Sequence, residues 1–134
     1  MTHVRRVPAP GSSASGPGSG PWLDAERLDV YRVALEFLAL VPWLVPARGA
    51  ADLRVQLERA SSSIVLNIGE AAGRFSRPDK ARFLAIARGS ATECAAVLDV
   101  LRVRRLATAA DCLSARSLLV RIVQMLTKLA ARHI

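Results

Sequence analysis

Seven cationic side chains stand in two groups along this chain, and the chemistry open to them is phosphate binding. Arg74, Arg77, Lys80 and Arg82 surround the segment Gly-Arg-Phe-Ser-Arg-Pro, and Arg102, Arg104 and Arg105 follow further on. Contacts of this kind neutralise phosphates and give affinity without sequence specificity. The same spacing also suits ordinary solvated arginines, so the residues by themselves leave both readings open.

A second constellation is polar. Counted at about 100° per residue, Gln56, Ser63, Asn67, Glu70 and Arg74 share one helical face, roughly a quarter-turn from the apolar face of Leu53, Leu57, Ala60, Ile64 and Ile68. On the next helical pattern, Phe83, Ala87, Ser90, Cys94, Val97 and Leu101 form a core face, with Arg82, Gly89, Glu93 and Ala96 beside it. Glu70 and Arg74 are placed to pair with Arg82 and Glu93 across a seam, and Gly89 would permit close backbone approach. Gln56, Asn67, Glu70, Arg74 and Glu93 thus read either as a polar site, with Arg74 on a phosphate, or as a network that locks two helices or two subunits. A buried ionic group needs a partner, and this seam offers several.

Catalysis finds little support. His3 and His133 lie near the two ends, away from any rigid setting. Glu70 is the one carboxylate in a promising polar environment, and the Glu-x-x-His repeats of di-metal bundles are missing. Gly69 to Gly73 lacks the ending of a phosphate loop. Cys94 and Cys112 have no metal-ligand spacing and are expected to be reduced and structural. The chain is therefore expected to be no enzyme and to hold no cofactor or metal, with an enzyme built on Glu70 as the weakest reading.

Four helices must position these residues. The first is expected from about Leu23 to Val41, with Leu28, Tyr31, Leu35 and Leu38 inward, ending around Pro42 or Pro46. The apolar Trp43-Leu44-Val45 connection would plug one end of the bundle or, exposed, form a contact surface. A second helix runs from near Ala50 to near Gly73, a glycine suited to a C-terminal cap. Ser76 with Asp79, and Pro78 in the first turn, start a third that ends near Arg105. Thr108 with Asp111 starts a fourth, whose core stripe is Leu119, Ile122, Val123, Leu126 and Leu129. Short connections imply an all-α, antiparallel up-down-up-down four-helix bundle over residues 22–134. Residues 1–21, rich in Gly, Ser and Pro, read as a disordered tail. In such a bundle the two cationic groups sit at opposite ends, about 35 Å apart.

Composition agrees. The 134 residues suffice for one domain, and 51% are hydrophobic against only 4% aromatic, which favours packed helices over strands. The net charge is +8. Arg5 and Arg6 lie in the tail, so 17 basic residues stand against 11 acidic ones in the rest, a net +6. An anionic partner such as nucleic acid suits that balance. No secretory signal and no run of 18 apolar residues is evident, so a cytoplasmic protein without a membrane is expected.

The spacing resembles that of the 23S rRNA intervening-sequence proteins, a four-helix-bundle family. Its pattern is met by Gln56, Leu57, Arg59, Ala60, Ser63, Ile64, Asn67, Ile68, Glu70, Gly73, Arg74, Ser76, Phe83, Leu84, Ala87, Gly89, Ser90 and Glu93, and Leu28 to Tyr31 match the usual start of its first helix. The resemblance covers about residues 28 to 130. Three positions depart from it. Val65 stands where proline is usual, which should leave the second helix straighter; Glu58 replaces a positive charge, and Ala71 a glycine. The resemblance implies a ring-shaped homo-oligomer, a pentamer. It also implies kinship with the accessory variability determinant of diversity-generating retroelements, which binds nucleic acid and a reverse transcriptase through a basic surface. The leading expectation is a non-enzymatic oligomer that binds RNA or other nucleic acid through Arg74, Arg77, Lys80, Arg82, Arg102, Arg104 and Arg105. The alternative is a protein-interaction scaffold or adaptor whose contact is the loop around Trp43.

Overall fold

The computed structural model describes residues 23–46 and 48–132, and within them the chain is all helical, with no strand. The expected tail, with Arg5, Arg6 and His3, lies outside the described residues, as does His133. A short 3-10 turn, Asp24–Arg27, precedes four α-helices: α1 (Asp29–Leu44), α2 (Ala51–Gly73), α3 (Arg77–Val103) and α4 (Ala109–Ala131). Each packs on two others: α1 on α2 and α4, α3 on α2 and α4.

The apolar face of α2 is where its periodicity places it. Leu53, Leu57, Ala60, Ile64 and Ile68 are all buried, joined by Ser61, Val65 and Ala71. The Ser61 hydroxyl avoids an unmet hydrogen bond by donating to the Glu58 carbonyl at 3.1 Å. On α3 the buried face is Leu84, Ala87, Ala91, Cys94, Val97, Leu98 and Leu101. It is turned slightly from the expected one, so Phe83 packs at its margin. On α4, Leu119, Ile122 and Leu126 are buried, with Val123 and Leu129 at the edge.

The first helix departs from expectation in face and in length. Its buried residues are Val30, Val33, Ala34, Phe37, Leu40, Val41 and Leu44, while Leu35 is 41% exposed and Leu28, Tyr31 and Leu38 are only partly buried. The segment is apolar on nearly every side, so a 3.6-residue period can be drawn through more than one set of positions. The helix also runs through Pro42 to Leu44. An interior proline costs about 3 kcal/mol. Burying Leu44 and then Val45 returns about 1.5–3 kcal/mol each, enough to offset it.

The ends of the helices are set by named groups. The Ser76 and Thr108 hydroxyls accept from the backbone N–H of Asp79 and Asp111, both at 3.1 Å, capping α3 and α4 as expected. Gly73 does not act as a left-handed cap: it is the last residue of α2, and Arg74 beyond it is extended, with φ −85° and ψ 148°. Among the described residues the left-handed glycine is Gly49, φ +85°, in the α1–α2 turn. At the end of α3 the left-handed residue is Arg105, φ +57°. There Leu106 N–H donates to the Leu101 carbonyl at 2.8 Å and Arg105 N–H to the Arg102 carbonyl at 3.0 Å, the two bonds of a Schellman motif.

Candidate nucleic-acid interface

The seam between α2 and α3 joins residues whose numbers descend on one helix as they rise on the other. Gln56 Nε2 donates to Glu93 Oε1 at 3.4 Å, Ser63 and Ser90 share a hydroxyl–hydroxyl bond of 2.8 Å, and Lys80 reaches Ala71 and Ala72. Asn67 Nδ2 donates to both the Ser63 carbonyl and its hydroxyl, at 2.8 and 3.0 Å. The centre of the seam is thus a small neutral network.

Its charged ends differ from expectation. Glu70 pairs with Arg74, just beyond the end of its own helix, at 3.2 Å, and Arg82 approaches Asp79 on its own helix at 3.9 Å. The expected cross-helix ion pairs do not form. What crosses instead is an aromatic bridge, with Arg74 and Arg82 both over the Phe83 ring, 4.7 and 4.5 Å from its centroid. Flexible exposed side chains gain as much from a neighbour one turn away as from a partner on another helix, so the local pair prevails. Gly89 does not serve a close approach within the chain either, because a Cβ added there, or at Gly69 or Gly73, would meet nothing within 4 Å.

The two cationic groups prove unequal. At the α2–α3 turn, Arg74 and Arg82 are engaged as above, and Lys80 Nζ donates to the Ala71 and Ala72 carbonyls at 3.1 and 3.2 Å, closing the C-terminus of α2. Arg77 alone of the four has no side-chain partner among the described residues. At the other end, Arg102 only grazes Asp99 at 4.0 Å, and Arg104 and Arg105 are exposed with no ion pair or side-chain hydrogen bond among the described residues. All three are presented to solvent by the last turn of α3 and its Schellman closure.

That end also holds a groove of about 740 Å³, which Trp43 to Pro46 line together with Arg102, Arg105 and residues 106–109 and 111. Leu44 and Val45 plug the bundle end as expected, while Trp43 remains 37% exposed. A smaller depression of about 590 Å³ lies against Gly69, Glu70, Gly73, Arg74, Phe75, Ser76 and Asp79.

The chain matches a known protein family over residues 26–128, which takes in all of α1, α2 and α3 and most of α4. It belongs to the 23S rRNA-intervening sequence protein family. No curated protein matches the chain. At two of the positions that depart from the family pattern, Val65 lies buried inside an uninterrupted α2, and Glu58 is exposed on it.

Both cysteines are buried and unpaired with one another. Burial, helped by the charge of Glu93, pushes the Cys94 thiol up to about 12. Burial raises Cys112 as well, followed by the charge of Asp111. A thiol held protonated is a poor nucleophile and a poor metal ligand. No cluster of three or more His, Cys, Asp or Glu among the described residues is arranged to hold a metal ion, and no helix there is long and apolar enough to cross a membrane. Glu70 is exposed, whereas Glu36 on α1 has a buried Oε1 with no hydrogen-bond partner, as does Arg32 Nε one turn earlier. The sequence reading missed both, since neither lies on a polar stripe.

Proposed function

We propose that this protein is a non-enzymatic, cytoplasmic RNA-binding oligomer, built from an up-down-up-down bundle. The observation that carries the reading is the exposed trio Arg102, Arg104 and Arg105 at the end of α3, in which, among the described residues, Arg102 alone meets a carboxylate, Asp99 at 4.0 Å. Guanidinium groups left without carboxylate partners are available for bidentate contacts to phosphate. Membership of a family described by an rRNA element favours RNA among the anionic partners.

Arg77, without a side-chain partner among the described residues, adds a cation at the other end of α3, a helix of 27 residues and so about 40 Å long. A pentamer, which the resemblance implies, would repeat both positions around a ring. Assembly is supported by the outer face of α2, where Val55, Leu66 and Gly73 share one direction by helical counting and Val55 and Leu66 are exposed. An accessory role beside a reverse transcriptase rests on the resemblance alone.

Light scattering on the purified protein at low and high salt, with nucleic-acid absorbance followed across the same peak, tests the proposal. A pentamer carrying nucleic acid that salt removes supports it. A nucleic-acid-free monomer at every salt concentration contradicts both the assembly and the RNA reading. The scaffold reading, whose expected contact is the loop around Trp43, gains a second contact candidate in Phe75, which is fully exposed in the α2–α3 turn. If it holds, Phe75→Ser abolishes capture of a protein partner while Arg102→Gln, Arg104→Gln and Arg105→Gln leave it unchanged.

A further inference from the structure

The groove between the end of α1 and the α3–α4 turn combines two chemistries in one concavity. Trp43 supplies an indole with exposed surface, and Arg102 and Arg105 supply guanidinium groups. Its volume of about 740 Å³ falls within the roughly 300–1,000 Å³ of sites that take small organic groups. A phosphate alone would need the arginines and not the indole. A base alone would need the indole and not the arginines.

We propose that this groove takes an unpaired nucleotide of single-stranded RNA, its base stacked on Trp43 and its phosphate held by Arg102 and Arg105. The proposal rests on the RNA reading above and narrows it to unpaired segments. Every base offers a π-face, so stacking on an exposed indole tolerates any sequence. In a duplex those faces are covered by neighbouring base pairs, and only phosphates remain for the protein to reach. Asp111 also borders the groove. Its carboxylate repels phosphate, which assigns the phosphate to the arginines and leaves the remaining space to the base. The Leu106 and Ala107 side chains, partly buried at the same rim, add apolar surface for an aromatic ring.

Two features fix this arrangement. Leu44 and Val45, both buried, anchor the α1 terminus beside the position from which Trp43 projects. The Schellman closure holds the backbone at Arg105 next to the start of α4. The arginine group at the α2–α3 turn has no comparable aromatic in its depression other than Phe75, which stands fully exposed.

The test uses the full chain with Trp22→Phe, so that Trp43 is the one tryptophan that emits. A short unstructured RNA, alone or annealed to its complement, is titrated at low salt. Single-stranded RNA is expected to quench Trp43 emission and to bind about tenfold more tightly than the duplex, in line with the cost of losing one stacked base. Trp43→Leu should remove most of that preference, weakening single-strand binding about tenfold with duplex binding unchanged, and Trp43→Phe should fall between. Absence of quenching, or equal affinity for single strand and duplex, overturns the inference. If Arg102→Gln with Arg105→Gln abolishes binding while Trp43→Leu does not alter it, RNA binding stands and the nucleotide pocket falls. If no RNA binds even at low salt, the RNA reading falls as well.

Discussion

The Arg74 guanidinium at the end of α2 lies over the Phe83 ring of α3, 4.7 Å from its centroid. Arg82 approaches the same ring at 4.5 Å, so one aromatic side chain engages two cations that would otherwise repel. The ring ties α2 to α3 where the seam's neutral hydrogen bonds end.

A double-mutant cycle measures this tie. Arg74→Gln and Phe83→Leu should each destabilise the fold, and their coupling in urea denaturation should be about 0.5–1 kcal/mol, the size of an exposed cation–π contact. Strictly additive effects would show that the ring and the guanidinium are only neighbours.

The helix caps should act independently. Ser76→Ala and Thr108→Ala each remove a hydroxyl that accepts a backbone N–H at 3.1 Å. Each should cost about 1 kcal/mol in chemical denaturation, and the double variant about the sum, because the caps serve different helices.

How far the sequence foretells the structure depends on how unevenly polar residues are spaced. Along α2, the polar stripe of Gln56, Ser63, Asn67 and Glu70 marks off one side of the face of Leu53, Leu57, Ala60, Ile64 and Ile68, and all five are buried. Along α1 almost every residue is apolar, and the face is decided by the shape of the other three helices instead. The caps were legible because Ser76 and Thr108 act on residues three positions away. The seam's ion pairs were not, because Glu70, Arg74, Arg82 and Glu93 choose among neighbours by reach. Nor could the sequence bring Trp43 to Arg102 and Arg105, since that needs α1 to run through Pro42 and end beside the α3–α4 turn.

Arg105 should set stability against binding. It holds a left-handed conformation, φ +57°, that costs an L-residue other than glycine roughly 1 kcal/mol. Arg105→Gly should therefore raise the denaturation midpoint modestly while weakening RNA binding. An unchanged affinity would remove Arg105 from the interface.

Lys80 and Arg77 should separate structure from binding at the other end. Lys80→Met deletes the donor to the Ala71 and Ala72 carbonyls and should destabilise by about 0.5–1 kcal/mol. Arg77→Gln removes the same charge without breaking a hydrogen bond or ion pair and should leave stability within about 0.5 kcal/mol of the parent. Denaturation curves for the two variants decide the matter.

Alkaline conditions should weaken the fold through the buried thiols. Cys94 is raised from 9.0 to about 12 in the folded state, so the unfolded chain ionises first. Its contribution is fully present below pH 9.0 and is lost as pH rises from there towards about 12. Replacing Cys94 and Cys112 by alanine should flatten the fall in melting temperature across that range, whatever the alanines do to stability at neutral pH. An equally steep fall in the variant would assign it to other groups.

The most direct test of the central claim is the salt dependence of RNA affinity, read by fluorescence anisotropy, for the protein and for its Arg102→Gln, Arg104→Gln, Arg105→Gln variant. The account predicts that log Kd rises linearly with log salt, and that the variant's slope is shallower by about 2, near 0.7 for each phosphate of a single strand that is no longer neutralised. Affinity that ignores salt, or an identical slope in the variant, would contradict it.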